Sequence, residues 1–187
     1  MTDGTGWSGR LVGLREIRAD DVDALLGVVG DDRVTRMLSF DSRTRPRVEA
    51  MVAAIIDLAA ARPRTEYQVA VTARDDDELI GFVRLGLSGV RAAKLGYAIR
   101  ADQWGCGYAT DACAAMLELA FRELDLHRVT AAIGPDNAAS ISVVRRLGFA
   151  VEGRLRDHVF TNGGWRDSLL YSILADQWAA AGVSAAP

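Results

Sequence analysis

The chain has 187 residues, half of them hydrophobic, two cysteines and a formal net charge of −3. That size and apolar content suit one globular domain around one core, and the acidic balance argues against a nucleic-acid surface. No run of about 18 apolar residues occurs and the start lacks a basic segment followed by an apolar one, which argues against a membrane span or secretory leader; Cys106 in a loop and Cys113 on a helix argue against a disulfide framework and for a reducing cytoplasm.

Residues 1–9, rich in Gly, Ser and Thr, read as a loose end. Alternation predicts a strand over 10–18. Asp20 and Asp21 open a helix with Val22, Leu25, Leu26 and Val29 on one face, ended by Gly30, and 31–40 reads as a short helical turn. The stripe Val48, Met51, Val52, Ile55 and Leu58 predicts a helix over 48–62, with Pro46 just inside its start and Pro63 stopping it. Strands over 67–72 and 79–85 flank a charged turn and form a hairpin. A strand over 93–99 runs into Trp104-Gly105-Cys106-Gly107-Tyr108-Ala109, followed by a helix over 109–124. Ala109, Cys113, Met116, Ala120 and Leu124 share one face of that helix, and Asp111, Glu118, Arg122 and Asp125 the other.

A buried strand over 127–133 is parallel to 93–99, because a helix crossover joins them. Then come a helix over 138–146 capped by Gly148, a strand over 151–160, an Asn-Gly turn over 161–164 and a strand over 166–174. The sum is an α/β domain over 10–178: a mixed sheet of about seven strands with helices on both faces, followed by a loose tail over 179–187.

The stretch from Trp104 to Ala109 carries the first functional signal. Strand, glycine loop and helix together aim unpaired main-chain N–H groups, and the positive end of the helix dipole, at an anion such as a pyrophosphate. A Walker loop would need Lys-Ser/Thr after Gly107, and a dinucleotide fingerprint would need a third glycine where Thr110 stands. A glycine connection without a ligand is the competing reading of these six residues alone.

Further on, Asn137, Ser140 and Leu147-Gly148-Phe149 complete a pattern. With both segments in this order, the chain resembles the GNAT superfamily of acyl-CoA-dependent N-acetyltransferases, most closely its RimJ/RimL-type branch, over nearly its whole length. The loop matches the family's Arg/Gln-x-x-Gly-x-Gly/Ala motif with Trp104 in first place; the second segment matches its Asn…Ser…Leu-Gly-Phe run. The resemblance implies the GNAT fold, mostly antiparallel with a central parallel pair. It implies acetyl-CoA or another acyl-CoA as co-substrate without a metal, a primary-amine acceptor, and a homodimer as is common among similar proteins.

Under that resemblance the pyrophosphate lies on the backbone of Gly105, Cys106, Gly107, Tyr108, Ala109 and Thr110. The pantetheine pairs with the strand near Ile99, and a main-chain N–H near Tyr97 or Ala98 faces the thioester oxygen. Asn137 hydrogen-bonds the pantetheine, or else serves only as a strand-end turn residue. Ser140 binds the cofactor or protonates the leaving thiolate, or else satisfies helix backbone. Many family members place a tyrosine acid where this chain has Val144, and a carboxylate where it has Lys94. The general base is therefore open among Glu66, Asp157, His158 and Asp167, with imidazole the side-chain type best suited to proton transfer near neutral pH. Acceptor-pocket walls are expected from 33–40, 43–48 and 157–167, naming Phe40, Asp157, Trp165 and Asp167; the two acids would suit a cationic acceptor. With no evident base, an N-terminal α-amine or a small amino-acid-like amine is the expected acceptor. A non-catalytic acyl-CoA sensor, a longer acyl donor such as succinyl-CoA, and a Cys106 nucleophile are the alternatives.

Overall fold

Seven strands, β1 (Val12–Glu16), β2 (Glu66–Ala73), β3 (Leu79–Leu87), β4 (Ala92–Ile99), β5 (Arg128–Ile133), β6 (Ala150–Thr161) and β7 (Gly164–Leu174), form one sheet in the computed structural model, which describes residues 7–181. The sheet order is β1-β2-β3-β4-β5-β7-β6. Every neighbouring pair is antiparallel except β4 and β5, the parallel pair that a helical crossover requires. The helices are α1 (Val22–Val29), α2 (Asp32–Thr35), α3 (Arg45–Ala60), α4 (Tyr108–Glu118), α5 (Ala138–Arg146) and α6 (Ala175–Ala181). This is the mixed, mostly antiparallel sheet of seven strands with a central parallel pair that the sequence leads one to expect. Among the described residues no helix is long and apolar enough to cross a membrane, and both cysteines are free.

Period-two alternation divides the core between the two faces of the sheet. Val69, Val71, Val83 and Leu95 join Cys113, Met116 and Leu117 of α4 on one face. Ala70, Phe82 and Ala98 join Leu25 and Val28 of α1 and Val48, Val52 and Ile55 of α3 on the other. The inward face of α1 is Leu25, Val28 and Val29, with Val22 and Leu26 half-buried. Pro46 lies in the first turn of α3, where its missing N–H has no intrahelical role.

Several expectations are corrected. The segment expected to be loose through residue 9 makes contacts from Trp7 onward: the Trp7 carbonyl accepts from Leu14 N–H at 3.0 Å, and its ring meets Tyr67 edge-on. Residues 1–6 and 182–187 lie outside the described residues. The end of the chain is helical through Ala181, past the expected boundary at 178, with Trp178 in the core. The helix expected over 109–124 is α-helical only to Glu118; Leu119–Glu123 is wound as a π-helix, which the i, i+3, i+4 pattern does not encode.

Nor do two acids on the polar side of α4 simply face water. Glu118 accepts from the Trp178 indole at 3.2 Å. Asp111 accepts from the N–H groups of Arg10, Leu11 and Val12 at 3.1, 2.7 and 3.1 Å, tethering the start of β1 to the first turn of α4. A Cβ on Gly9 would lie 2.0 Å from an Asp111 oxygen, so the close approach requires glycine there. Asp111→Ala is expected to lower stability by about 1–3 kcal/mol, because three donors lose one acceptor and only part of that loss is restored by water. Urea denaturation checks this, with Asp111→Asn retaining part of the loss as a neutral acceptor; an unchanged midpoint for the alanine variant refutes it.

Candidate active site

The site begins where the parallel pair ends. β4 and β5 are in register only over Ala92–Arg128, Ala93–Val129 and Lys94–Thr130. Beyond that, β4 stays paired with β3 out to Ile99, and β5 with β7 out to Ile133. The two strands therefore part, each held by its other neighbour. A cavity of about 330 Å³ occupies the opening. It is lined from one sheet face by Tyr108, Ala109 and Thr110 of α4 and by Asn137, Ser140 and Val143, and from the other by Val34, Met37 and Leu38. The crevice thus passes through the sheet and is open to both faces.

The main chain of β4 is oriented by its neighbours. The Ala93 carbonyl points to β5, where it accepts from the Thr130 hydroxyl, and Arg100 N–H donates to the Ile80 carbonyl of β3. Because N–H and C=O alternate in direction along a strand, Tyr97 and Ile99 present their main-chain groups to the crevice, while Ala98 directs its own to β3 and adds only its side chain. Of the expected Tyr97 and Ala98 donors, Tyr97 is the one so placed. The Ile99 carbonyl already accepts from the Trp104 indole N–H at 2.8 Å. Trp104 therefore fastens the glycine loop to the strand end, a role that an arginine or glutamine would perform differently.

Gly105 and Gly107 adopt φ of +81° and +84°. With Gly107 in that left-handed backbone as the residue preceding α4, the helix starts at the cavity wall, and no side chain of the described residues caps its first N–H groups. Neighbouring Cys106 is exposed, its Sγ lying 3.8 Å from the Trp104 carbonyl.

Asn137 has both of its anticipated roles open. Its Oδ1 accepts from Ser140 N–H at 3.0 Å, capping α5, which leaves Nδ2 as a donor in the cavity lining. The Ser140 carbonyl accepts from the Tyr97 hydroxyl at 3.2 Å. Burial holds the Tyr97 phenol well above its usual pKa, so it stays protonated and ties β4 to α5. The Ser140 side chain borders the cavity. Val144 is fully buried in the core, so the cavity side of α5 is carried by its neighbours.

The expected base and acceptor residues separate into two groups. Trp165 and Asp167 line a second hollow, together with Arg36, Asp136, Arg154 and Arg166, which shares Met37 and Asn137 with the first. Phe40, Asp157 and His158 line neither. Phe40 packs on the α1–α3 core beneath the Arg43 guanidinium, 4.8 Å from its centroid. Asp157 has φ +47° within an irregular stretch of β6 between the Leu155–Ser168 and Val159–Arg166 pairs. His158 bonds Ser168 Oγ through Nδ1 at 3.0 Å. Glu66 has both oxygens on Arg84, and Lys94 is exposed on β4. Asp167 accepts from Asp157 N–H and Arg154, which hold it below the usual carboxylate range. Among the described residues, no Asp, Glu or His lines the through-sheet cavity.

Ser142, Val143 and Arg146, together with Ala139, complete the cavity face of α5. Their i, i+3, i+4, i+7 spacing is one helical face, so the signal for them lay in the sequence. Arg146 is the one charged side chain in that lining among the described residues. Among the described residues, no group of three or more His, Cys, Asp or Glu is placed to hold a metal.

Residues 11–150 match the family described as the acetyltransferase (GNAT) domain. An uncharacterized N-acetyltransferase of Bacillus licheniformis is 28% identical over 169 residues, covering 89% of this chain and 94% of that one. The ribosomal protein uS5-alanine N-acetyltransferase of Escherichia coli (strain K12) is 32% identical over 107 residues, 56% of this chain and 55% of that one. Among solved structures, Mycobacterium smegmatis RimJ in complex with CoA-disulfide aligns with a TM-score of 0.72 at 28% identity, covering 91% of this chain and 89% of that one.

Proposed function

Because the chain belongs to the GNAT acetyltransferases, in their RimJ/RimL-type branch, and is an N-acyltransferase, we propose that it moves the acetyl group of acetyl-CoA directly to a primary amine. The acceptor is the N-terminal α-amine of a peptide or protein, or a small amino-acid-like amine. The observation that carries this reading is the crevice between β4 and β5, which has an uncapped helix N-terminus at one end and is open to both sheet faces.

In this reading the diphosphate rests on the N–H groups from Gly105 to Thr110, with Arg146 nearby as a counter-charge. Asn137 Nδ2 donates to the pantetheine arm, and Tyr97 N–H faces the thioester oxygen as charge develops there. The neutral amine attacks the carbonyl carbon, the C–S bond breaks, and Ser140 or a water it holds returns a proton to the thiolate. The ammonium proton passes to water, since among the described residues no carboxylate or imidazole borders the cavity. His158 has no part in this sequence.

The test is release of free CoA from acetyl-CoA over a panel of α-amine peptides, free amino acids and polyamines, with acetylated product identified by mass. Turnover of α-amine compounds is expected. Turnover confined to polyamines, or absent throughout, overturns the proposal.

A further inference from the structure

The acceptor side of the crevice carries a charge pattern that the sequence alone did not disclose. Beyond Met37 and Asn137 the passage widens into the second hollow, where three guanidiniums, Arg36, Arg154 and Arg166, meet two carboxylates, Asp136 and Asp167. Asp167 is already neutralised by Arg154 and also accepts from Asp157 N–H. It cannot serve the cationic acceptor for which the sequence suggested it. Arg166 directs its two Nη groups to the carbonyls of Arg36 and Leu38. Carbonyl oxygens orient a guanidinium without cancelling its charge. Arg36 forms no ion pair among the described residues.

The wall formed by Arg36 and the β6–β7 hairpin is therefore net positive, and it is held in place. Besides the Arg166 bonds, Asp41 accepts from Thr161 Oγ1 at 2.6 Å and from Asn162 N–H at 2.7 Å, fixing the hairpin tip to the loop after α2. Across the hollow, Asp136 is on the turn before α5, next to Asn137, and forms no ion pair among the described residues. A compound entering between these walls meets a carboxylate on one side and two uncompensated guanidiniums on the other. Trp165, 63% exposed and edge-on to Phe160, gives the hollow an apolar surface for a peptide backbone.

We propose that the acceptor is a peptide N-terminus followed within its first few residues by a carboxylate, with Asp136, which lies in the second hollow and outside the through-sheet cavity lining, drawing the α-ammonium to the entrance and Arg36 and Arg166 receiving the acid. This rests on the acetyl-transfer reading above and narrows its acceptor. A polycationic amine would place positive charge against Arg36 and Arg166 and is a poor acceptor.

The experiment compares hexapeptides that begin with alanine and carry Glu, Gln or Lys at positions two to four. Steady-state rates are measured with saturating acetyl-CoA at about 0.05 M and about 0.5 M salt, on the wild-type chain and on Arg36→Glu. The glutamate peptide is expected to exceed the lysine peptide about tenfold or more in kcat/KM at low salt, chiefly through KM. Salt should shrink the difference, since charges this exposed are screened over about 10 Å or less. Arg36→Glu should lower kcat/KM for the glutamate peptide about fivefold or more while leaving CoA affinity unchanged. Turnover of all three peptides without a charge preference, or with a lysine preference, overturns this inference alone. Failure of all three as substrates overturns this inference, and the acetyl-transfer reading falls with it only if the free amino acids of the wider panel also fail.

Discussion

Replacing Gly105 and Gly107 together by valine is expected to weaken CoA binding by at least about 100-fold while leaving the fold intact. Both residues have positive φ. An L-residue there costs roughly 1–2 kcal/mol, more when β-branched. The loop would relieve that strain by rotating its peptide planes, which turns N–H groups away from the anion. Each hydrogen bond to a charged group contributes about 1.5–3 kcal/mol. Losing two of them, at about 1.4 kcal/mol per tenfold, accounts for the expected factor. Space does not limit the replacement in the free protein: a Cβ at Gly105 meets nothing within 4 Å, and one at Gly107 comes within 3.4 Å only of Leu11 Cδ1. Titration calorimetry with CoA and a thermal melt on the same sample separate binding from folding. A folded double variant that binds CoA within threefold of wild type would remove the loop from the site.

How much of this was readable in advance depends on the range of the interactions. Period-two alternation in β2, β3 and β4 and the Asn162-Gly163 turn are local signals, and the sheet and hairpin follow them; both turn residues have the positive φ that a two-residue hairpin requires. The glycine loop was readable for the same reason, since Gly105 and Gly107 announce an unusual backbone within two residues of a helix start. The pairs that escaped are long-range. Asp111 meets the start of β1 about a hundred residues away, Glu66 is held by Arg84 across a strand pair, and Asp167 by Arg154 across the hairpin. In each case the carboxylate is conspicuous in sequence and its partner is not, so Asp111 reads only as a solvated helix face, and Glu66 and Asp167 read as more available than their arginine partners leave them. The parting of β4 and β5 also has no local signature. It arises because β3 and β7 continue to pair with them after they cease to pair with each other.

At pH 7 a peptide α-amine is expected to outpace a lysine ε-amine by about 100-fold in kcat/KM when both are presented in otherwise matched peptides. Among the described residues the cavity has no acid or imidazole to take a proton from the ammonium form, and Glu66 and Asp167 are each engaged by arginine. The enzyme must then draw on amine that is already neutral. With pKa values of about 7.7–8.0 and about 10.4, that fraction is on the order of a tenth for the α-amine and under about a thousandth for lysine at pH 7. The ratio is a few hundred, and the greater intrinsic nucleophilicity of the neutral ε-amine reduces it somewhat. The sign with pH follows. The α-amine rate rises between pH 6 and 8 and levels off above its own pKa. The ε-amine rate keeps rising through pH 10, so the preference narrows as pH increases. Matched peptides with one amine blocked, assayed across this range, measure both curves. An α-amine rate that is flat from pH 6 to 8 would show that the protein supplies a base after all. An ε-amine preference at pH 7 would mean that the acceptor is chosen by something stronger than the availability of its lone pair.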